Sequence, residues 1–154
     1  MNLLGENHMT EEMQLHVLLS KLTLDFETAL EEFFQEYKLT TTRFIILNLL
    51  YNSPEGMTPT ETAKAVGVTN ATISAIISNL KQIGWIQSRQ KPGDSRSYSI
   101  VLSETGLELM HKVLPVYNSN ISQLWSQFSS DEKRDLGNLM TRVSQLVGVM
   151  KKNN

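Results

Sequence analysis

The stretch at residues 58–83, TPTETAKAVGVTNATISAIISNLKQI, constrains the fold of this chain more than any other segment. Its first part predicts a short helix, because Thr58 is a suitable N-cap, Pro59 takes the first helical position and Glu61 completes a capping box. Gly67 is expected to end this helix, since glycine readily adopts the positive φ that a C-cap requires. A tight turn and a second, longer helix are predicted to follow.

The second helix, which Thr69 is expected to cap, has one apolar face and one small, polar face. Its apolar side chains recur three and four residues apart, which predicts that they face a core. They are Ile73, Ile76, Ile77, Leu80 and Ile83. The opposite face carries no acidic residue and consists of Ala71, Ser74, Ala75, Ser78 and Gln82, with Asn70 at its N-terminal end. Such a helix pair is typical of a helix-turn-helix, whose second helix enters the major groove of DNA, and also of an αα-corner in an ordinary helical domain.

Two predicted strands follow the second helix. Residues 85–89 and 97–102 alternate apolar and polar side chains, as half-buried strands do. The segment between them, QKPGDSR, combines strong turn chemistry with basic side chains. Two strands joined by a basic loop predict a winged helix-turn-helix. The alternative, a plain hairpin covering a core edge, leaves the basic loop unexplained.

Long helices are predicted on both sides of this region. The first spans about residues 10–37 and carries an apolar stripe formed by Leu15, Leu19, Leu22, Phe26, Leu30, Phe33 and Tyr37. Thr40 is expected to cap a helix that is buried nearly all round, and Ser103 one that Pro115 should bend. Ser129 and Glu132 form a capping box before the last helix. Its apolar positions are Leu136, Leu139, Met140, Val143, Leu146, Val147 and Met150.

These outer helices carry more apolar surface than the middle of the chain can cover. Exposed stripes of that size favour pairing with a second copy of the chain. We expect a homodimer, because a winged helix that reads DNA usually needs two half-sites for affinity. The alternative is a monomer in which the first and last helices cover each other.

Composition narrows the class of protein. At 154 residues the chain is expected to form one domain, and the absence of cysteine excludes disulfides, zinc–thiolate sites and cysteine nucleophiles. The first residues do not resemble a signal peptide, and the most apolar segment is too short to span a bilayer. We therefore expect a soluble, cytoplasmic protein without membrane contact. His8, His16 and His111 are isolated, so the sequence predicts no enzyme, no metal site and no cofactor.

The charges are unevenly distributed along the chain. The net charge is −2, and residues 6–36 contain eight acidic residues against one basic residue. Residues 62–93 contain no acidic residue but include Lys64, Lys81, Arg89 and Lys91. Because attraction to a polyphosphate depends on the local field, this distribution supports DNA as a partner of the middle region.

The order of elements resembles the multiple-antibiotic-resistance regulator (MarR) family of bacterial transcription factors. The resemblance rests on the helix after Leu39-Thr40, on MTPTETAKAVGVTNATISAIISNLKQIGWIQSR, and on DSR followed by LSETG and a proline-containing helix. It is close over about residues 39–115 and extends to the outer helices by architecture only. It implies a mainly α (α+β) winged helix-turn-helix with about six helices and a two- to three-stranded wing. It also implies one domain (1–154), with a DNA-binding lobe (39–103) and a dimerisation lobe (8–38 and 104–152).

The resemblance further implies a homodimeric repressor that binds a pseudo-palindromic DNA operator. By position, the residues in the major groove would be Asn70, Ala71, Thr72, Ser74, Ala75 and Ser78. Arg96 would reach the minor groove from the wing, with Asp94 orienting its guanidinium. The candidates for phosphate contacts are Thr58, Thr60, Lys64, Lys81, Arg89 and Lys91.

One departure from the family pattern affects DNA reading. Many relatives place an arginine or another long donor where this helix has Ala75 and Ser78. Neither residue can make the bidentate arginine–guanine contact, which contributes about 1–3 kcal/mol of discrimination. The sequence therefore predicts an A/T-rich operator that is read partly by its shape.

Two questions stay open at the level of sequence. Family members often bind small anionic aromatic or lipophilic effectors between the two lobes. Phe26, Phe33, Tyr37, Phe44, Met110 and Tyr117 could line such a cleft or belong to the core, so the effector pocket is unassigned. The alternative function is a winged-helix module that binds a protein partner, which salt dependence would distinguish from DNA binding.

Overall fold

The computed structural model describes the backbone of residues 9–91 and 94–150, without the side chains of residues 91–97 and 148–150. Within these residues the chain forms six helices and two strands. They are α1 (Glu11–Gln35), α2 (Thr41–Tyr51), α3 (Pro59–Val66), α4 (Asn70–Ile83), β1 (Ile86–Lys91), β2 (Asp94–Leu102), α5 (Glu104–Trp125) and α6 (Ser130–Met150). The predicted mainly α fold with a winged helix-turn-helix is confirmed.

The predicted caps of α3 and α4 are confirmed. Thr58 N donates to Glu61 Oε2 at 2.7 Å, and Glu61 N donates to Thr58 Oγ1 at 3.2 Å, which completes the capping box. Gly67 ends α3 with a φ of 79°, and Thr69 Oγ1 accepts from Thr72 N at 3.1 Å at the start of α4. The turn between the two helices is therefore set by local hydrogen bonds.

The two strands form an antiparallel hairpin that is longer than predicted. Their pairing runs regularly up to Gln90 opposite Tyr98 and shifts register between Gln90 and Lys91. Polar residues extend both strands toward the tip, because backbone pairing does not require apolar side chains. Met57 forms an isolated bridge with Ile100, which adds a short third member beside the hairpin.

The core lies between α2, α3, α4 and the hairpin. The side chains buried in it from these elements include Phe44, Ile46, Leu47, Leu50, Ala63, Ile73, Ile77, Leu80, Ile86, Ile100 and Val101. The expectation that α2 is buried nearly all round is wrong at Ile45, which is 41% exposed. A helix that packs on one layer buries one side, so an apolar run along it also reaches the surface.

The segment LSETG, residues 102–106, follows the hairpin and forms hydrogen bonds with the chain just after α4. Ser103 Oγ and Thr105 Oγ1 both donate to the Gly84 carbonyl, at 2.5 and 2.6 Å. Ser103 also caps α5, as predicted, since its Oγ accepts from Gly106 N at 3.1 Å. Its backbone N donates to the Trp85 carbonyl at 3.0 Å. These bonds hold the C-terminal end of α4 against the next helix.

The chain divides into two compact units, Met1–Met110 and His111–Asn154. In the first unit, the N-terminal half of α1 exposes leucines along most of its surface, including Leu18 at 60%. In the second, α6 is exposed along its described length, with Leu146 at 66%. Pro115 lies inside α5, and its predicted bend stays a prediction. None of the helices among the described residues combines the length and the hydropathy of a membrane span.

Candidate nucleic-acid interface

The outer face of α4 is exposed along its length. All six residues that were predicted to lie in the major groove are at the surface: Asn70, Ala71, Thr72, Ser74, Ala75 and Ser78. The opposite face of the same helix packs into the core through Ile73, Ile77 and Leu80. The structure therefore brings these six residues together on one uncharged surface.

Some hydroxyl groups at this face already form hydrogen bonds. Ser74 Oγ donates to the Asn70 carbonyl at 2.7 Å, and the hydroxyls of Thr69 and Thr72 share a bond at 2.9 Å. Within the described part of the chain, the Ser78 hydroxyl has no hydrogen-bond partner. Ser78 can donate or accept without breaking a bond, whereas Ser74 offers mainly an acceptor oxygen.

A shallow cavity of about 190 Å³ lies along one edge of this face. Its lining combines the start of α3, the outer face of α4 and the hairpin: Pro59, Ser74, Ile77, Ser78, Lys81 and Tyr98. Lys81 Nζ lies 4.9 Å from the centroid of the Tyr98 ring, a cation–π contact. The ring holds the Lys81 charge beside the cavity.

Tyr98 lines the cavity beside the outer face of α4. Sequence analysis did not single it out, because it counted this residue only as part of a strand. Tyr98 is 42% exposed. The signal was present in the period-two alternation, which places Tyr98 on the same face of β2 as the buried Ile100. Lys81 of α4 contacts the Tyr98 ring, so this exposed aromatic side chain lies beside the outer face of α4.

Arg89 lies on the other face of the hairpin. It pairs with Ser99, whereas Tyr98 pairs with Gln90, so the side chains of Arg89 and Tyr98 project to opposite sides. Arg89 Nη1 donates to the Pro54 carbonyl at 3.1 Å. The structure therefore separates Arg89 from Lys81, although both were predicted to contact phosphates.

The other predicted phosphate contacts differ in what their side chains can offer. Thr60 and Lys64 are exposed on α3. The Thr58 hydroxyl accepts from Glu61 N and donates to Glu61 Oε2 at 2.8 Å, so its proton is used by the cap. The side chains of Lys91, Asp94 and Arg96 lie outside the described residues, and their roles stay predictions.

A second cavity, of about 460 Å³, lies along the other edge of the α4 face. It is lined by the first turn of α2 and by α4: Thr40, Thr42, Arg43, Ala75, Ile76 and Asn79. Sequence analysis did not consider this cavity, because it described α2 only as a buried helix. A signal was available, since no acidic residue occupies the first turn of α2.

The described residues contain no cluster of three or more histidine, cysteine or acidic side chains that could hold a metal ion. His8 lies outside that part of the chain. Of the aromatic and methionine residues considered for an effector cleft, Phe44 and Met110 are buried core residues. Phe33 packs against Tyr37 with ring centroids 5.4 Å apart. The effector pocket stays unassigned.

Comparisons with known proteins agree with this geometry. The sequence model of the MarR family matches residues 39–98. The chain is 32% identical to the HTH-type transcriptional regulator PecS of Dickeya dadantii, over 82% of this chain and 78% of PecS. It is 31% identical to the HTH-type transcriptional repressor YetL of Bacillus subtilis, over 86% of this chain and 82% of YetL.

Two solved structures share the fold. The Staphylococcus aureus MepR–DNA complex superposes with a TM-score of 0.79 and 22% identity, covering 89% of this chain and 99% of MepR. AbsC, a MarR family transcriptional regulator from Streptomyces coelicolor, superposes with a TM-score of 0.78 and 21% identity, covering 92% and 98%. At these identities the likeness concerns the fold.

Proposed function

The chain belongs to the MarR family of transcriptional regulators, and we propose that it is a homodimeric DNA-binding repressor of a pseudo-palindromic operator. It would act in the cytoplasm and carry out no catalysis. In this proposal α4 enters the major groove and the hairpin tip reaches the adjacent minor groove. The region at 39–103 forms the DNA-binding lobe, and the segments at 8–38 and 104–152 form the dimerisation lobe.

The observation that carries this proposal is the exposed, acid-free outer face of α4 with a cation beside it. In a DNA duplex, one phosphate backbone runs along each side of a major groove that is about 12 Å wide. A helix inserted there needs an outer face without carboxylates and basic residues at its edges. The α4 face meets the first requirement along its whole length, and Lys81 meets the second.

The contacts divide into those that read bases and those that position the protein. Base edges would be contacted by Asn70, Ala71, Thr72, Ser74, Ala75 and Ser78. Thr60, Lys64 and Lys81 would contact phosphates, and Lys91 would join them at the hairpin. Arg96, oriented by Asp94, would enter the minor groove, where a narrow A/T-rich segment concentrates negative potential. Arg89 and Thr58 are weaker candidates, because both side chains are engaged within the protein.

The dimer is proposed on the exposed apolar faces of the outer helices. Large apolar side chains are exposed to solvent on α1 and on α6. Contiguous apolar surface of this kind is typical of an interface between copies. A two-fold dimer would place its two α4 helices about one DNA turn, ~34 Å, apart. A small aromatic or lipophilic effector would release DNA by favouring a dimer in which that spacing is lost.

A winged-helix module that binds a protein is the competing function. Salt distinguishes the two, because each phosphate contact releases counterions and adds about 0.9 to the slope of log affinity against log salt. We expect duplexes selected from random DNA to contain A/T-rich half-sites, and their affinity to fall steeply as KCl increases. A selection that recovers no common sequence, or a salt-independent affinity, would refute the proposal.

The variant Ser78→Glu tests the orientation of α4. A carboxylate at this position would lie against the base edges and between two phosphate backbones, so we expect affinity to fall on the order of 100-fold. Gln87→Glu, on the exposed surface of β1, is the matched control and should bind nearly as wild type. Fluorescence anisotropy with a selected duplex measures both. Equal losses for the two variants would place α4 outside the groove.

A further inference from the structure

The two edges of the α4 outer face are built differently. One edge carries the cavity with Lys81, whose charge rests on the Tyr98 ring. The other edge carries the larger cavity, in which Ala75 and Asn79 face the first turn of α2. A helix in the major groove has a phosphate backbone along each edge, so the second edge also needs a group that tolerates or binds an anion.

Arg43 is the cation at that second edge. It lines the cavity together with Ala75, so its side chain lies on the border of the surface proposed to enter the groove. Within the described part of the chain, no carboxylate lies within salt-bridge distance of Arg43. The cavity lining contains no acidic residue, and its other polar members are two threonines and one asparagine. A partly buried arginine in such a setting has donors that the protein itself leaves unused.

Asn79 supplies the second observation. Its Oδ1 atom is buried and has no hydrogen-bond partner among the described residues. Buried acceptors are nearly always paired, so this oxygen is available to a donor that approaches it. Asn79 and Arg43 line the same cavity, and a guanidinium has five donors in a planar fork.

We propose that Arg43 binds a phosphate of the DNA backbone beside α4, while the same guanidinium donates to Asn79 Oδ1. Arg43 is then a positioning residue: it fixes how far α4 turns and how deeply it lies in the groove, without reading a base. This inference rests on the proposed DNA-binding function and adds a contact from α2, an element outside the helix-turn-helix and the hairpin.

The experiment measures affinity against KCl concentration for the full chain, with two probes of equal length. One is a duplex recovered by selection from random DNA, and the other has an unselected sequence. Arg43→Ala should weaken both by the same factor, on the order of tenfold, because a dimer loses two phosphate contacts. The slope of log affinity against log salt should fall by about 2. Arg43→Lys should keep the wild-type slope, because it keeps the charge.

Asn79→Ala separates the anchoring role from the charge. It should lower affinity for both duplexes and leave the salt slope unchanged, since no charge is removed. Arg134→Ala, which removes an arginine that pairs with Asp131 in the other compact unit, is the matched control and should change neither quantity. Arg43→Gln keeps the apolar stem of the side chain and serves as the neutral variant if Arg43→Ala lowers the thermal midpoint.

Three results would overturn the inference. A neutral Arg43 variant with the wild-type slope would exclude the phosphate contact, and a loss confined to the selected duplex would indicate base reading instead. An Asn79→Ala variant with wild-type affinity would exclude the anchor. If wild-type protein bound neither duplex, the proposed function itself would fail, which is a different outcome from a normal wild type with unaffected variants.

Discussion

At the scale of single residues, the close approach of Gly106 to the Trp85 carbonyl explains why a glycine ends the LSETG segment. A Cβ at this position would overlap with the Trp85 carbonyl oxygen, which belongs to the chain just after α4. The close approach lets Ser103 and Thr105 reach the Gly84 carbonyl. The segment is therefore a joint between the end of α4 and the start of α5.

Two helical glycines make a matched pair for testing this joint. Gly106→Ala should destabilise the fold by about 2 kcal/mol or more, because backbone must shift to admit the methyl group. Gly137→Ala, in α6, meets nothing within 4 Å and should stabilise by roughly 0.5–1 kcal/mol through helix propensity. Urea unfolding at one fixed protein concentration measures both. A stable Gly106→Ala variant would show that the joint is loosely packed.

At the scale of elements, the start of α6 depends on a capping box that involves a carboxylate. Ser129 N donates to Glu132 Oε2 at 2.7 Å, and Glu132 N donates to Ser129 Oγ at 3.2 Å, as the sequence predicts. The hydrogen bonds from the Ser129 backbone and hydroxyl hold the pKa of the Glu132 carboxyl below its ordinary value. The ionised form is therefore the one that stabilises the folded helix.

The sign of this shift gives a pH prediction. A carboxyl whose pKa is lowered by folding contributes stability above its unfolded pKa of about 4.3, and loses it as pH falls through the folded pKa. Glu132→Gln keeps a side chain that can cap the helix but does not titrate. The free energy of unfolding of this variant should therefore decline less at acidic pH than that of the wild-type protein. Urea midpoints between neutral and acidic pH measure the effect.

Glu108→Gln is the control for that measurement. It neutralises an exposed carboxylate within α5, which belongs to neither capping box, Thr58/Glu61 or Ser129/Glu132. The control should retain the acid-side decline of the wild-type protein. Identical pH profiles for Glu132→Gln and wild type would mean that the cap does not limit the stability of α6.

At the scale of the whole molecule, the exposed apolar side chains of the outer helices support the proposed dimer. Leu136, Met140, Val143 and Val147 lie along one side of α6 at helical spacing, and all are exposed. Leaving this surface in water costs free energy that a second copy of the chain would recover. The proposed DNA affinity depends on that pairing, because each subunit supplies one recognition helix.

A charge inside this apolar side of α6 tests the dimer. Val143→Glu should convert the protein to monomers at micromolar concentration and lower DNA affinity by about 100-fold, since one half-site replaces two. Thr141→Glu is the matched control, because two residues turn a helix by about 200° and place it away from Val143. Sedimentation equilibrium measures both. A Val143→Glu variant that stays dimeric would move the interface elsewhere.

The local structure of this chain could be predicted from the sequence. Caps at Thr58, Thr69 and Ser129, the turn at Gly67 and the apolar side of α4 were predictable, because they depend on residues within one or two helical turns. The family resemblance likewise located the exposed face of α4. Even α2 was placed correctly in the core, although its exposed Ile45 was not foreseen.

The contacts between residues that are distant in sequence depend on how the helices and strands pack. Lys81 forms a cation–π contact with Tyr98, and Arg89 donates a hydrogen bond to the Pro54 carbonyl. Arg43 lines a cavity together with Ala75. The residues of these three pairs are 17, 35 and 32 positions apart in the sequence, and no periodicity within one element specifies such contacts. They follow from how a hairpin and a neighbouring helix pack on α4, because the direction of a side chain across an interface is set by packing and not by local propensity.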